Sequence, residues 1–126
     1  MGYRVGKERF GELVEQALGE VPEPFAKHLQ EVSIEIRDLP TGQQARQAGA
    51  EQDSLLLGLY HGRPRTHRSV MDDLVMPDII YLFQRNIERV CNSETELIEQ
   101  VRTTVLHEIG HHFGMSEEDL DELGYG

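Results

Sequence analysis

Between Val105 and Gly114 the chain reads Val-Leu-His-Glu-Ile-Gly-His-His-Phe-Gly, and within that run His-Glu-x-x-His narrows the possible folds more than any other feature. On an α-helix, at about 100° per residue, His107 and His111 stand about 40° apart and Glu108 lies about 60° from His111. Three polar groups then share one face, over which two imidazoles can hold a metal ion while the carboxylate accepts a proton. The helix must bury its other side. With Leu97 at 0°, Val101 falls at about 40°, Val105 at about 80°, Ile98 at about 100°, Ile109 at about 120° and Phe113 at about 160°, a continuous core-facing arc. His107, His111 and Glu108 border that arc together with Gln100 and Thr104. His112 falls inside it, at about 60°, and is assigned to packing rather than to the metal. Ser93 and Glu96 have the spacing of a capping box, so the helix is expected to begin at Glu94 and to run about five turns.

Gly114 follows where a left-handed cap ends a helix and turns the chain back. Counted from His107, Gly114 is at +7 and Glu117 at +10, so the stretch continues as His-Glu-x-x-His-x-x-Gly-x-x-Glu. That spacing resembles the metzincin pattern, whose +10 position holds the third metal ligand, usually a histidine. A carboxylate serves there too, and two histidines with one carboxylate leave the fourth position of a zinc ion open for water. Glu117 has a second reading: Ser116 can cap a final helix whose first turn, Glu117-Glu118-Asp119, is acidic as the helix dipole favours. Glu118, Asp119 and Asp121 are alternative ligands. With nine residues following Glu117, neither the methionine turn of full metzincins nor the distant ligand of gluzincins is expected.

The remainder reads as scaffold. Phe10, Leu13, Val14, Ala17, Leu18 and Val21 form the apolar stripe of an amphipathic helix that Gly19 and Pro22 stop near residue 19. Pro24 suits the first position of a short second helix with Phe25, Ala26 and Leu29 facing inward. Val32, Ile34 and Ile36 alternate with polar residues, a half-buried strand ended by Asp38-Leu39-Pro40. Residues 41 to 53 carry no apolar side chain larger than alanine and are expected to form a long mobile loop. Leu55 to Tyr60 is a candidate buried strand in which Gly58 permits a bulge or a close approach. The basic run from His61 to Arg68 reads as a solvated hairpin loop, or else as a flap receiving an acidic substrate. A further strand is expected from Asp78 to Gln84, ending before the polar stretch Arg85 to Arg89; lying beside the metal cleft, it offers an edge on which an extended peptide can add. His28, His61 and His67 have no ligand spacing and are taken as surface or loop residues.

One domain spanning 1–126 accommodates these elements, in an α+β arrangement with a small sheet packed against the N-terminal helix and the central His-Glu-x-x-His helix. With 23 acidic against 12 basic residues the formal charge is −11, which disfavours nucleic acid as a partner. Cys91 is the only cysteine, so neither an internal disulfide nor a cysteine-rich metal cluster can form. No apolar run reaches the length of a membrane span or a signal-peptide core, and a cytoplasmic location without membrane association is expected.

The run His-Glu-x-Gly-His-His-Phe-Gly resembles the small bacterial zincin-like metallopeptidases, or minimal zincins, and the likeness extends to the N-terminal helix, the strands near Leu57 to Tyr60 and Pro77 to Phe83, and a terminal helix from Ser116 to Leu123. It implies a zincin-like fold, Zn²⁺ as cofactor, His107, His111 and Glu117 as metal ligands, Glu108 as catalytic base, and a peptide or protein substrate. The rival expectation is a non-catalytic metal-binding or interaction domain that keeps the fold. A more distant likeness, to metal-dependent rRNA-processing endoribonucleases, shares the histidine spacing but does not call for Glu108, and the acidic surface opposes it.

Overall fold

The computed structural model describes residues 2–23, 25–48, 55–62, 77–114 and 117–122, with side chains in the last stretch described for Glu118, Asp119 and Leu120. The chain begins with α1 (Lys7–Gly19), α2 (Phe25–Leu29) and β1 (Val32–Arg37), as their apolar spacing predicts. A short helix α3 (Gly42–Gln47) replaces the expected loop over its part of residues 41 to 53. Its stability is local. The Thr41 hydroxyl accepts from the Gln44 N–H and the Gln44 side chain accepts from the Thr41 N–H, a complete capping box that needs no buried face. Residues 49–53 of that expectation lie outside the described residues, as does the basic run from Arg63 onward.

Strand β2 (Gly58–His61) starts three residues later than its apolar run suggests, although the Leu57 carbonyl still accepts from the Phe83 N–H at 3.0 Å. Strand β3 (Asp78–Phe83) is followed at once by α4 (Gln84–Arg89), so the polar stretch after the strand is helical. The sheet order is β1-β3-β2. β1 pairs in parallel with β3 from Val32↔Asp78 to Arg37↔Phe83, and β2 pairs antiparallel from Gly58↔Leu82 to His61↔Ile79. β3 is therefore the central strand, covered on both faces, which is why it reads as Ile-Ile-Tyr-Leu-Phe rather than as an alternation. Among the described residues the sheet edge near α5 belongs to β2, not to β3 as the sequence suggested.

The long helix α5 (Glu94–His112) starts where expected, the Ser93 hydroxyl accepting from the Glu96 N–H at 3.1 Å. It packs between α1 and the sheet. Phe10, Leu13, Val14 and Ala17 of α1 meet Leu97, Val101, Val105, Leu106 and Ile109 of α5, with Ile80 and Leu82 of β3 closing the core. Arg9 forks onto Glu94 at 2.7 and 3.0 Å and ties the start of α1 to the start of α5. At the far end, α6 (Glu117–Glu122) inserts Leu120, fully buried, against Gly110, where an added Cβ would stand 2.9 Å from the leucine Cδ2.

The N-terminal segment is sewn onto α4 through Glu88, which is 1 % exposed. Its carboxylate accepts from the Val5 N–H, from Gln84 Nε2 and from Arg85 Nη1, each at 3.0 Å, while its carbonyl accepts from the Tyr3 N–H. Burial by itself pushes this carboxyl up; the three donors outweigh it and hold the group below its ordinary value. Among the described residues no helix is long and apolar enough to cross a membrane.

Candidate metal centre

Gly58 sets the distance between α5 and the sheet edge. A Cβ there would stand 2.6 Å from Thr104 Cγ2 and 3.0 Å from the Tyr81 carbonyl oxygen, so only glycine lets the helix lie this close. Thr104 is buried in that contact rather than facing the metal side as the helical wheel suggests. From this contact the two backbones keep step: one helical turn, Thr104 to Glu108, advances about 6 Å, and two strand residues, Gly58 to Tyr60, advance about 6.6 Å. Glu108 therefore arrives opposite the Tyr60 amide, whose N–H donates to Glu108 Oε1 at 2.8 Å. A carboxylate held by a backbone donor has one fixed orientation and one oxygen engaged.

His107 and His111 lie on the same stretch of helix, ring centroids 5.9 Å apart and planes at 42°. His107 and Glu108 are half-buried, and His111 is exposed. Burial pushes the Glu108 carboxyl above its ordinary value, against the opposing pulls of the Tyr60 N–H and the His111 and His107 imidazoles. Two imidazoles so placed suit a borderline-soft divalent ion, zinc above all among the common metals. Among the described residues no group of three His, Cys, Asp or Glu converges to hold a metal, so Glu118 and Asp119, both exposed, do not complete a set with the two histidines. Gly114 has the left-handed backbone its position predicts, φ +84°, and α6 begins at Glu117, whose side chain lies outside the described residues together with Ser116.

The end of α5 departs from the helical wheel. Phe113 is 53 % exposed instead of core-facing, and His112 is exposed instead of packed inside the apolar arc. The wheel extrapolates a uniform face, but by this last turn the core has run out and α2 and β2 are the neighbours. His112 stacks on the Tyr60 ring at 3.9 Å, and Phe113 stacks on His28 of α2 at 4.1 Å. The Tyr60 hydroxyl donates to Asp78 Oδ2 at 2.8 Å, and His112 Nε2 lies 4.0 Å from the same oxygen. These groups, with Glu31, Val32 and Ile109, line a recess of about 210 Å³. Tyr60 belongs to both features, its amide holding Glu108 and its ring walling the recess. His28 was not legible as a site residue, because only the helix pairing brings it to Phe113. Cys91 plays no part: burial, with Glu96 and Glu99 nearby, pushes its thiol up to about 11.

A family model described as zincin-like metallopeptidase matches residues 29–126. Among solved structures, a conserved hypothetical protein from Thermus thermophilus is similar to this chain at 27 % identity, with a TM-score of 0.54, over 94 % of this chain and 99 % of that one. No curated protein matches the chain.

Proposed function

The chain belongs to the zincin-like metallopeptidase family, and from that premise we propose that it is a zinc-dependent peptidase in which His107, His111 and Glu117 hold the metal and Glu108 is the general base. Zinc, if held by these residues, would supply Lewis acidity toward a water and toward the scissile carbonyl. The work of the chain's own residues centres on Glu108. Its carboxylate takes the proton of the attacking water and returns it to the departing amine. Orientation for that transfer comes from the Tyr60 N–H, which engages Oε1 and leaves Oε2 as the proton-accepting oxygen. Burial that raises the carboxyl's proton affinity suits a group that must first gain and then lose a proton near neutral pH.

The observation that carries this reading is the 2.8 Å hydrogen bond from the sheet-edge amide to the carboxylate between two one-turn-spaced histidines. A metal site needed only for structure has no use for an oriented base. The test is zinc titration of the metal-free protein followed by digestion of a diverse, unstructured peptide library by wild type and Glu108→Gln. One zinc per chain is expected in both proteins, with kcat/KM lower by about 10² to 10⁴ in the variant. Stoichiometric zinc binding without Glu108-dependent cleavage overturns the reading in favour of a non-catalytic metal-binding domain. In the same titration Glu117→Ala loses tight zinc binding if Glu117 is the third ligand, and retains it if another group fills that place.

A further inference from the structure

Gly2, Arg4, Arg85, Glu88 and Arg89, from the N-terminal segment and α4, line a recess of about 330 Å³ that includes none of the residues assigned to the metal. Acidic residues outnumber basic ones 23 to 12 in this chain, yet three of the four charged side chains here are arginines. The one acid is already committed. Glu88 is buried to 1 % exposure and its carboxylate accepts from Val5, Gln84 and Arg85, so of the three arginines it is hydrogen-bonded to Arg85 alone.

Arg4 and Arg89 have no ion pair or hydrogen bond from their side chains among the described residues. Arg85 and Arg89 are one turn apart on α4, an arrangement of like charges that costs a helix about 0.2–0.5 kcal/mol. Arg4 reaches the same recess from the crossing segment, whose position is fixed by the Tyr3 and Val5 hydrogen bonds to Glu88. A merely soluble basic face has no need of this convergence from two segments onto one concavity. Guanidinium groups present planar, forked donors that match the oxygens of a phosphoryl group two at a time, which ammonium groups do not.

We propose that the recess walled by Arg4, Arg85 and Arg89 is a binding site for a phosphoryl group. Two sources share that chemistry, free phosphate and a phosphorylated side chain of a peptide or protein, and the experiment separates them. The site is independent of the metal centre, so its failure leaves the peptidase reading untouched, and failure of that reading leaves this site standing.

The test is titration of ¹⁵N-labelled full chain with inorganic phosphate, with a phosphoserine peptide and with its unphosphorylated counterpart, against sodium chloride at matched ionic strength. Saturable shifts confined to Gly2, Arg4, Arg85 and Arg89 are expected with phosphate and the phosphopeptide but not with the other two. Tighter binding of the phosphopeptide than of phosphate assigns the site to a modified polypeptide; equal binding assigns it to the free ion. Arg4→Gln and Arg89→Gln should each weaken binding about tenfold, and both residues are exposed, so their melting temperatures should stay close to wild type. Unsaturable shifts spread over the surface, an equal response to chloride, or unchanged affinity in both variants overturns the proposal.

Discussion

A single missing Cβ decides whether Glu108 and the Tyr60 amide can meet. Gly58→Ala would place its methyl 2.6 Å from Thr104 Cγ2, and the adjustment must come from β2 or α5, both of which carry functional groups one step further along. The expected cost is about 1–3 kcal/mol of stability, as for other overpacked sites, measured by denaturant unfolding. The proposed peptidase activity should fall further than stability, with zinc binding retained, because the two imidazoles ride together on α5 and keep their spacing, whereas the amide and the carboxylate sit on different elements and are moved relative to each other. Thr104→Ser removes the clashing methyl and keeps the hydroxyl that accepts from Gln100 Nε2 at 3.2 Å. Added to Gly58→Ala, it should recover part of both losses; a double-mutant cycle that shows no coupling between the two positions sinks this account of the close approach.

At the level of elements, α4 and the N-terminal segment depend on one buried carboxylate. Glu88 is held below its ordinary value of 4.5, so the folded state binds its proton less readily than the unfolded chain does. The stabilisation is therefore fully present above about pH 4.5 and is lost as the pH falls through the lower, folded value. Urea unfolding from pH 7 to pH 3 should show this loss in wild type, whereas Glu88→Gln should be less stable at neutral pH and lose less on acidification. Helices and strands whose apolar residues keep a regular period were legible from the sequence: α1 from Phe10, Leu13, Val14 and Ala17, and β1 from Val32, Ile34 and Ile36. Elements held by polar contacts were not. Nothing apolar announces α3, which rests on Thr41 and Gln44, and the role of Glu88 depends on donors from Val5, distant in sequence. The same division runs through the metal centre. The shared face of His107, Glu108 and His111 follows from helical geometry alone, but Tyr60 as the partner of Glu108 follows only from strand order, and His112 was misplaced because a wheel has no knowledge of where the core ends.

Across the whole molecule, zinc and folding are expected to be linked. A ligand bound only by the native chain stabilises it by about 2.7 kcal/mol at a free concentration one hundred times its Kd, so a chelator should lower the Tm by several degrees and added zinc should restore it. His111→Ala should unfold at the same temperature with and without zinc; a retained zinc-dependent shift would place the ion elsewhere. How a third ligand would be held near the histidines is a separate matter, and it returns to Gly110. Because that residue has no side chain, Leu120 seats against the metal helix as a peg in a socket, and the short α6 is pinned there. On the proposed ligand set, in which Glu117 is the third ligand, this peg would hold the start of α6 beside the two histidines. An apolar contact that touches no metal would then decide how firmly the third carboxylate is presented to it.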